Sequence, residues 1–323
     1  MRVPPAAAGL AAALRQGGAW VRRRLLVPDW PTVAVEVRPR SLSVVRLVRE
    51  GGRLRLGAAA SLDLPEGVLD VSLTRPNVTD GPALRRALES ACERAGALSG
   101  GPAALVLPDP SVRVSLLAAA DVRARRRAEV EQLIRFRLNK TVPFDVQAAR
   151  VAWAGPVAGH VLVAAVYQPV LEGYESAFRD LGFEPGVVEP ASLALVGTLE
   201  HAGAPGDRML VNWDVGYVSL VLTRAGWPIL IRTLVGDLGT EAVLREAANT
   251  VLYYRERLGG QGFAGVAIRS GLLPPEEAAM LLREPLGQEP DVLDPWAPLG
   301  GGDRSPAAQA MAGAVACLVR QVA

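Results

Sequence analysis

The sequence predicts an α/β fold of two similar halves that face each other across a cleft. The order strand, strand, strand, helix, strand appears once from residue 33 and again from residue 210. The first strand of each series ends in an acid, Glu36 or Asp214, and a tight turn follows it. Two similar facing halves explain such a repeat better than one sheet does, although two unrelated α/β domains are the alternative. Each half is therefore expected to contribute one acid and one turn to a cleft.

The composition allows a large core and argues against several functions. Half of the 323 residues are hydrophobic and the formal net charge is +2, so nothing indicates a nucleic-acid partner. Lys140 is the one lysine, which excludes almost any reaction that needs a lysine ammonium group. Cys92 and Cys317 lie in apolar helical patterns far apart in the sequence. The two cysteines and two histidines of the chain do not have the spacing of a metal site. We expect buried, unpaired thiols in a reducing, cytoplasmic compartment.

In the first half, alternating apolar residues predict an antiparallel meander followed by a helix and a buried strand. The predicted strands cover 33–37, 42–48, 54–60 and 103–109, and the helix covers 81–95. Pro82 suits the first turn of that helix. In the second half, LVNWDVG and VSLVLTRAG precede a strand at 227–234, a helix at about 239–258 and a strand at 265–271.

The region between the halves predicts an inserted subdomain at about 108–165. It contains a charged helix that begins near Asp121, then Pro143-Phe144 and a strand, and a buried strand at 161–167. The arginines of the helix alternate with Glu129 and Glu131, which is typical of a solvated face, and a partner-binding surface is the alternative. The sequence LEGYESAFRDLGF then predicts a helix, and GVVEPASLAL predicts a strand and a helix.

The two ends of the chain complete the predicted organisation. Residues 1–30 read as a frayed tail or as a basic amphipathic helix over 5–26 on an anionic membrane surface, and a secretion signal is a weaker reading. The first half is expected over 31–205 and the second over 206–304. A C-terminal helix over 305–323 is expected to return to the first half.

Several stretches resemble the actin-like ATPase fold, and within it the PilM family of cytoplasmic type IV pilus assembly proteins. FtsA and the cytoplasmic domain of GspL are more distant relatives. The resemblance follows the order of the chain over about 33–320. It rests on VAVEVRPRSLSVVRL and LVNWDVGYVSLVL as the two phosphate loops, VVEPASLAL, NKTVPFD, and residues 249–271 with their paired tyrosines and SGLL. It implies a duplicated, ribonuclease-H-like α/β fold with an inserted small subdomain.

The resemblance also implies a nucleotide cleft, with ATP and Mg²⁺ as its ligands. The residues of this chain at the implied positions are Glu36, Ser41, Glu189, Asp214, Gly216, Gly236 and Gly271. Phosphate binding by such turns needs converging backbone N–H groups, and glycine where the phosphate approaches closely.

The first loop departs from that requirement. Arg38 stands where the family has glycine, and Pro39 removes an N–H donor. Two interpretations of Arg38 and Arg40 are open. Their guanidinium groups clamp a phosphate, or they belong to an ordinary hairpin turn and lie in solvent, and we favour the hairpin turn. In the second loop Asp214 and Gly216 are kept, but Tyr217 stands where a small residue is expected. Both departures argue against nucleotide binding, and no catalytic residue is assigned.

The predicted function is a cytoplasmic scaffold peripheral to the inner membrane, part of a type IV pilus or related secretion platform. By resemblance, its partner is the N-terminal peptide of a PilN-like bitopic membrane protein, bound between the first half and the insert. Candidate partner-binding residues are Arg135, Phe136 and Phe144, for which ordinary packing is the alternative. Contacts with other platform proteins, with lipid and with itself are further expectations. An active ATPase with a variant loop and a GspL-like secretion component are the alternative functions.

Overall fold

The computed structural model describes residues 30–119, 126–157, 159–199 and 206–319. The predicted N-terminal helix over 5–26 lies outside these ranges, as does the predicted start of the charged helix near Asp121. No helix within these ranges is both long enough and apolar enough to cross a bilayer.

The first half is built on a five-stranded sheet in the order β3-β2-β1-β4-β8. Its strands are β1 (Val33–Arg38), β2 (Ser41–Glu50), β3 (Arg53–Asp63), β4 (Gly101–Leu107) and β8 (Phe183–Pro190). β1, β2 and β3 form the predicted antiparallel meander, while β4 runs parallel to β1 and to β8.

The second half is built on a sheet in the order β11-β10-β9-β12-β13. Its strands are β9 (Asp207–Asp214), β10 (Tyr217–Arg224), β11 (Trp227–Val235), β12 (Phe263–Ser270) and β13 (Asp291–Val292). Three strands again form an antiparallel meander, and β12 runs parallel to β9 and to β13. Strand for strand, this order and these directions repeat those of the first sheet, which confirms the predicted duplication.

Eight helices accompany the sheets in the described part of the chain. They are α1 (Gly81–Arg94), α2 (Arg127–Leu138), α3 (Gln168–Arg179), α4 (Ala191–Leu199), α5 (Thr240–Arg257), α6 (Pro275–Leu286), α7 (Pro306–Gln309) and α8 (Ala312–Val319). Pro82 lies in the first turn of α1, as predicted, and the Asp80 side chain caps that helix by accepting from the Ala83 N–H. α6 was not predicted from the sequence.

The insert between β4 and α3 forms a small layer of its own. Its strands β5 (Arg113–Ala118), β6 (Ala149–Val157) and β7 (His160–Tyr167) form an antiparallel sheet in the order β5-β7-β6. α2 buries Val130, Ile134 and Leu138 in the core of this sheet. The insert therefore has a hydrophobic core separate from those of the two halves.

Side-chain alternation along the strands divides each half into two faces. On β1, Val33, Val35 and Val37 join a core with α1 and α3, while Ala34 points to the opposite side. On β9, Met209, Val211 and Trp213 join a core with α5 and α6, while Leu210 points to the opposite side. Ala34 and Leu210 belong to one apolar cluster that also contains α4 and α8. This inner cluster packs the two halves against each other.

Cys92 and Cys317 are fully buried, as predicted, and they form no disulfide with each other. Cys92 lies in the core of the first half and Cys317 in the inner cluster. Burial raises the pKa of the Cys92 thiol to about 12. Cys92 therefore remains an inert core thiol at neutral pH.

Candidate functional site

The candidate site lies where the inner faces of β1, β9 and β12 end. Because alternate residues share a face, Glu36 follows Ala34 on β1 and Asp214 follows Asn212 and Leu210 on β9. Arg269 follows Ala267 on the inner face of β12. Two acids and one arginine thus meet between the halves.

A fourth charged residue, Arg38, reaches this point from the last position of β1. Its Nε donates to Asp214 Oδ2 at 2.8 Å and its Nη2 donates to Asp214 Oδ1 at 2.8 Å. Nη2 also donates to the Gly271 carbonyl oxygen at 3.1 Å. The contact is bidentate and joins the turn of the first half directly to the second half.

Arg269 connects both acids. Its Nη2 donates to Glu36 Oε1 at 2.8 Å and its Nη1 donates to Asp214 Oδ2 at 2.6 Å. Nη1 also donates to Asn212 Oδ1, and Nε donates to the Gln309 carbonyl oxygen. Glu36, Arg38, Asp214 and Arg269 form what we call the ion cluster, with two carboxylates and two guanidinium groups.

The ion cluster is tied to the C-terminal helix through Glu36. Glu36 Oε2 accepts from the backbone N–H groups of Gly313 and Ala314, at 2.7 and 3.1 Å. These N–H groups belong to the first turn of α8 and lack partners within the helix, so a carboxylate is favoured there. The predicted helix over 305–323 is divided into α7 and α8, and α8 begins where Glu36 takes up these N–H groups.

Burial and pairing together set the protonation of the ion cluster. Burial opposes ionisation of Asp214, but the guanidinium groups of Arg38 and Arg269 outweigh it and hold the pKa of this carboxyl well below its usual range. Burial raises the pKa of Glu36 above its ordinary value, against the opposing effects of Arg269 and Arg38. Burial also disfavours the charge on Arg269, but Asp214 and Glu36 raise its pKa further above neutrality. Asp214 and Arg269 are therefore firmly charged at pH 7.

The expectation that Arg38 lies in solvent is wrong. Its side chain is 8% exposed and paired with Asp214, whereas Arg40 is 53% exposed and pairs with the exposed Glu66. The two-residue turn Pro39–Arg40 pairs Arg38 with Ser41 across the hairpin. This register turns Arg38 towards the cleft and Arg40 towards water. The sequence could not separate the two arginines, because the acid that binds Arg38 lies on another strand series.

The structure brings three of the predicted cleft residues together and leaves the other four outside the ion cluster. Glu36, Asp214 and Gly271 surround the guanidinium groups of the ion cluster. Ser41 begins β2, and Glu189 lies on β8, two strands away from β1.

Gly216 and Gly236 lie beside the ion cluster at a pocket of about 470 Å³ that Pro39 and Arg40 also line. The Gly236 N–H donates to the Gly216 carbonyl oxygen at 2.9 Å, and Gly216 has a φ of +76° in the β9–β10 turn. Tyr217 is fully buried at this pocket, and burial together with the Asp214 and Asp109 carboxylates raises its pKa well above the ordinary value.

A second buried polar group adjoins the ion cluster. Asp109 accepts from the Ser192 N–H at 2.8 Å and from the Asn212 side-chain amide at 3.0 Å, and it also accepts from the Ser192 hydroxyl. Asp109 thereby holds the first turn of α4. Since Asn212 also accepts from Arg269, polar contacts run from α4 through β9 to β12.

The residues present do not fit a bound Mg²⁺ nucleotide. A nucleotide needs open space and N–H donors between the two turns, but the Arg38 guanidinium occupies the position between Asp214 and Gly271. A Cβ on Gly271 would overlap Arg38 Nη2, so this glycine makes room for an arginine. Both cluster acids are bound to guanidinium groups. The arrangement is a direct ionic connection between the two halves.

Sequence reasoning missed Arg269, which binds both acids. The signal was available: in GVAIRSG an arginine occupies an inward position of a strand whose other residues are apolar or small. A buried arginine needs an anionic partner, and two acids at strand ends had already been assigned to the same cleft.

The candidate partner-binding residues lie on or beside α2 and differ in exposure. Arg135 donates to Glu131 and to the carbonyl oxygens of Val146 and Ala149, so it ties α2 to the following segment. Phe144 stacks on Tyr167 with the ring centroids 5.4 Å apart. Phe136 is 61% exposed, and Lys140 Nζ lies 4.7 Å from its ring centroid. Phe136 is thus the candidate with a surface to offer a partner.

A groove of about 360 Å³ runs between the first half, the insert and the second half. Its apolar lining is Val71, Leu73, Val112, Val114, Ile231 and Val235. Two lining strands, β5 and β11, are edge strands of their sheets, and Val235 is 58% exposed. An edge strand beside apolar side chains is a surface that can receive an extended peptide.

Comparison with known proteins gives matches among solved structures. No family model and no curated protein matches the chain. The PilM-PilN type IV pilus biogenesis complex matches with a TM-score of 0.75 at 20% identity, covering 92% of this chain and 100% of that chain.

Two further structures match at lower similarity. One is a Bacteroides thetaiotaomicron protein with an actin-like ATPase fold and unknown function, with a TM-score of 0.48 at 11% identity, covering 81% of this chain and 90% of that chain. The other is the cytoplasmic domain of EpsL, an inner-membrane component of the Vibrio cholerae type II secretion system, with a TM-score of 0.47 at 10% identity, covering 75% and 82%. The match with a TM-score of 0.75 shows that this chain has the fold of the PilM-PilN structure over 92% of its length, and that fold is the predicted α/β arrangement of two similar halves.

Proposed function

We propose that this protein is a cytoplasmic scaffold of a type IV pilus or related secretion platform, and that it binds the N-terminal peptide of a PilN-like membrane protein. The observation that carries the proposal is the fold match with the PilM-PilN complex over 92% of this chain. A scaffold of this kind binds by shape and side-chain chemistry and needs no catalytic residue.

The groove between the halves and the insert offers a binding surface of the right kind. It combines apolar side chains from the loop after β3, from β5 and from β11 with two strand edges. An extended peptide gains backbone hydrogen bonds from a strand edge and specificity from apolar pockets. We assign the peptide to this groove, with Val114 of the insert as a central contact, and we retain Phe136 as a second candidate contact.

The proposal includes a degenerate nucleotide site. Arg38 fills the space between the two turns, and Gly271 accommodates its guanidinium group instead of a nucleotide. Binding of the peptide should therefore not depend on ATP.

The experiment is calorimetric titration of the full chain with a synthetic peptide. The peptide is the cytoplasmic N-terminus of a PilN-like bitopic membrane protein from the same organism. We expect saturable binding of equal affinity with and without Mg-ATP, and no saturable heat from Mg-ATP alone at ~100 μM. Val114→Glu should weaken peptide binding at least about tenfold, since it places a carboxylate among the apolar side chains of the groove.

The matched control is Leu252→Ser, which removes an exposed apolar side chain of α5 in the second half, and it should leave the affinity unchanged. Phe136→Ser tests the second candidate contact. Absence of peptide binding to the folded wild-type protein would contradict the scaffold proposal, and saturable Mg-ATP binding would contradict the degenerate site.

A further inference from the structure

The two halves are connected in two different ways. At the base, the inner cluster packs apolar residues of both halves around α4 and α8. At the turns, charged side chains make the connection. Arg38 of β1 binds Asp214 of β9 and the Gly271 carbonyl, and Glu36 of β1 binds Arg269 of β12.

We propose that Arg38 is an internal ligand of the cleft, which holds the two halves closed without a bound nucleotide. The guanidinium group takes the central position between the two turns and contacts the second half through three hydrogen bonds. This proposal concerns the relative position of the halves and does not depend on the partner of the protein.

The geometry is that of a built binding site for a guanidinium group. Asp214 presents both carboxylate oxygens side by side, the Gly271 carbonyl adds a third acceptor, and the lack of a Cβ at Gly271 leaves the space that Nη2 fills. Asp214 is 1% exposed and Arg38 is 7% exposed, so water competes weakly for these bonds.

Arg269 does not make Arg38 redundant. Arg269 belongs to the second half, as Asp214 does, so their contact holds β12 to β9 within one sheet. Between the halves Arg269 acts through Glu36, which is also fastened to α8. Arg38 is the cluster residue that connects the β1–β2 turn to Asp214 and Gly271.

The test measures the distance between the halves in the full chain. Glu89→Cys on α1 and Glu241→Cys on α5 are exposed positions for spin labels, and the native cysteines are fully buried. Double electron–electron resonance on the protein with spin labels at these two positions, which we call the parent, should give one narrow distance distribution, unchanged by Mg-ATP. Arg38→Met should add a longer-distance population, while Arg40→Met, in the same turn but exposed, should match the parent.

Two further variants separate opening from misfolding. Gly271→Ala retains every charge but displaces the Arg38 guanidinium, and it should produce the same longer-distance population. In Arg38→Ala, added ethylguanidinium should restore the narrow distribution, whereas sodium chloride at the same ionic strength should not.

The proposal is overturned if Arg38→Met and Gly271→Ala, both folded by circular dichroism, retain the distribution of the parent. It is equally overturned if Arg40→Met opens the halves as much as Arg38→Met. Failure of ethylguanidinium to close folded Arg38→Ala contradicts the role of the guanidinium as a ligand.

Discussion

At the scale of single residues, the ion cluster shows how burial changes the role of a charge. All four of its side chains, two acids and two arginines, are buried at nine-tenths or more. Buried ion pairs add little net stability when both partners are present. Removing one partner leaves the other charge buried without a counter-charge, at a cost of about 3–5 kcal/mol. Each member is therefore hard to replace singly, whatever it contributes as part of the set.

We expect Arg38→Met to lower the free energy of unfolding by about 3 kcal/mol at pH 7, and Arg40→Met to change it by less than ~0.5 kcal/mol. Arg38 lowers the pKa of both Asp214 and Glu36, so its removal raises both native-state values. The variant then binds protons more readily when folded than the wild type does. The difference in stability should therefore be larger at neutral pH than in acid, and it should shrink as the pH falls and these two carboxyls take up protons.

Urea unfolding at several pH values measures this difference, and the linkage has a definite sign. In the wild type the pKa of Asp214 is lower in the folded state than its unfolded value of 3.8. This difference stabilises the folded protein at pH values above 3.8, and the contribution is lost on acidification. A difference between wild type and variant that grows towards low pH would contradict the assignment of Arg38 to these two acids.

At the scale of elements, the start of α8 depends on a side chain from a distant strand. Gly313 and Ala314 donate to Glu36 from β1, so the helix is capped by the first half rather than by its own flanking residues. The C-terminal helical pattern in the sequence is divided into α7 and α8 just before these two residues. A local sequence signal could not indicate a cap that lies almost the whole chain away.

We expect Gly313→Ala to destabilise the protein by about 2 kcal/mol, although glycine to alanine in a helix is usually favourable. A Cβ at position 313 would lie 2.9 Å from the Glu36 carboxylate and would push it from its hydrogen bonds. Thermal unfolding monitored by circular dichroism measures the effect.

The matched control is Gly81→Ala in the first turn of α1, where an added Cβ meets no atom within 4 Å. This substitution should be neutral or stabilising by up to about 1 kcal/mol. Equal effects at the two positions would show that the contact between Glu36 and α8 does not set the stability of the helix start.

Most elements were predictable from the sequence because their signals are local. Period-two alternation predicted the meander strands of both halves, and Pro82 marked the start of α1. The site was predictable only in part. Glu36 and Asp214 were found because they end apolar strands, while Arg38 was placed in solvent because its partner lies on another strand series.

At the scale of the whole molecule, the protein contains cores of unequal size. The two halves share the inner cluster, so they are expected to unfold together, whereas the insert has a small core of its own around Ile134, Val161 and Val163. A smaller core opens at a lower free energy.

We therefore predict that amide hydrogens of β6 and β7 exchange through openings of lower free energy than those of β1, β9 and β12. Hydrogen exchange followed by mass spectrometry at increasing denaturant measures these values segment by segment. The buried interior strand β4, between β1 and β8, is the internal reference. Equal opening free energies in the insert and in β4 would show that the insert unfolds only with the whole molecule.

The sequence by itself determined the duplicated α/β architecture and the presence of an acid at the end of each first strand. These features depend on residue order and on the alternation of strand side chains, which are local properties. Only the tertiary structure decided which opposite charges meet. Arg38 and Asp214 are 176 positions apart, and Arg269 and Glu36 are 233 apart. The sequence of the VAVEVRPRSLSVVRL turn is compatible with a guanidinium group that faces water and with one that binds a carboxylate. The relative position of the two sheets places Asp214 beside Arg38, so the guanidinium group binds a carboxylate.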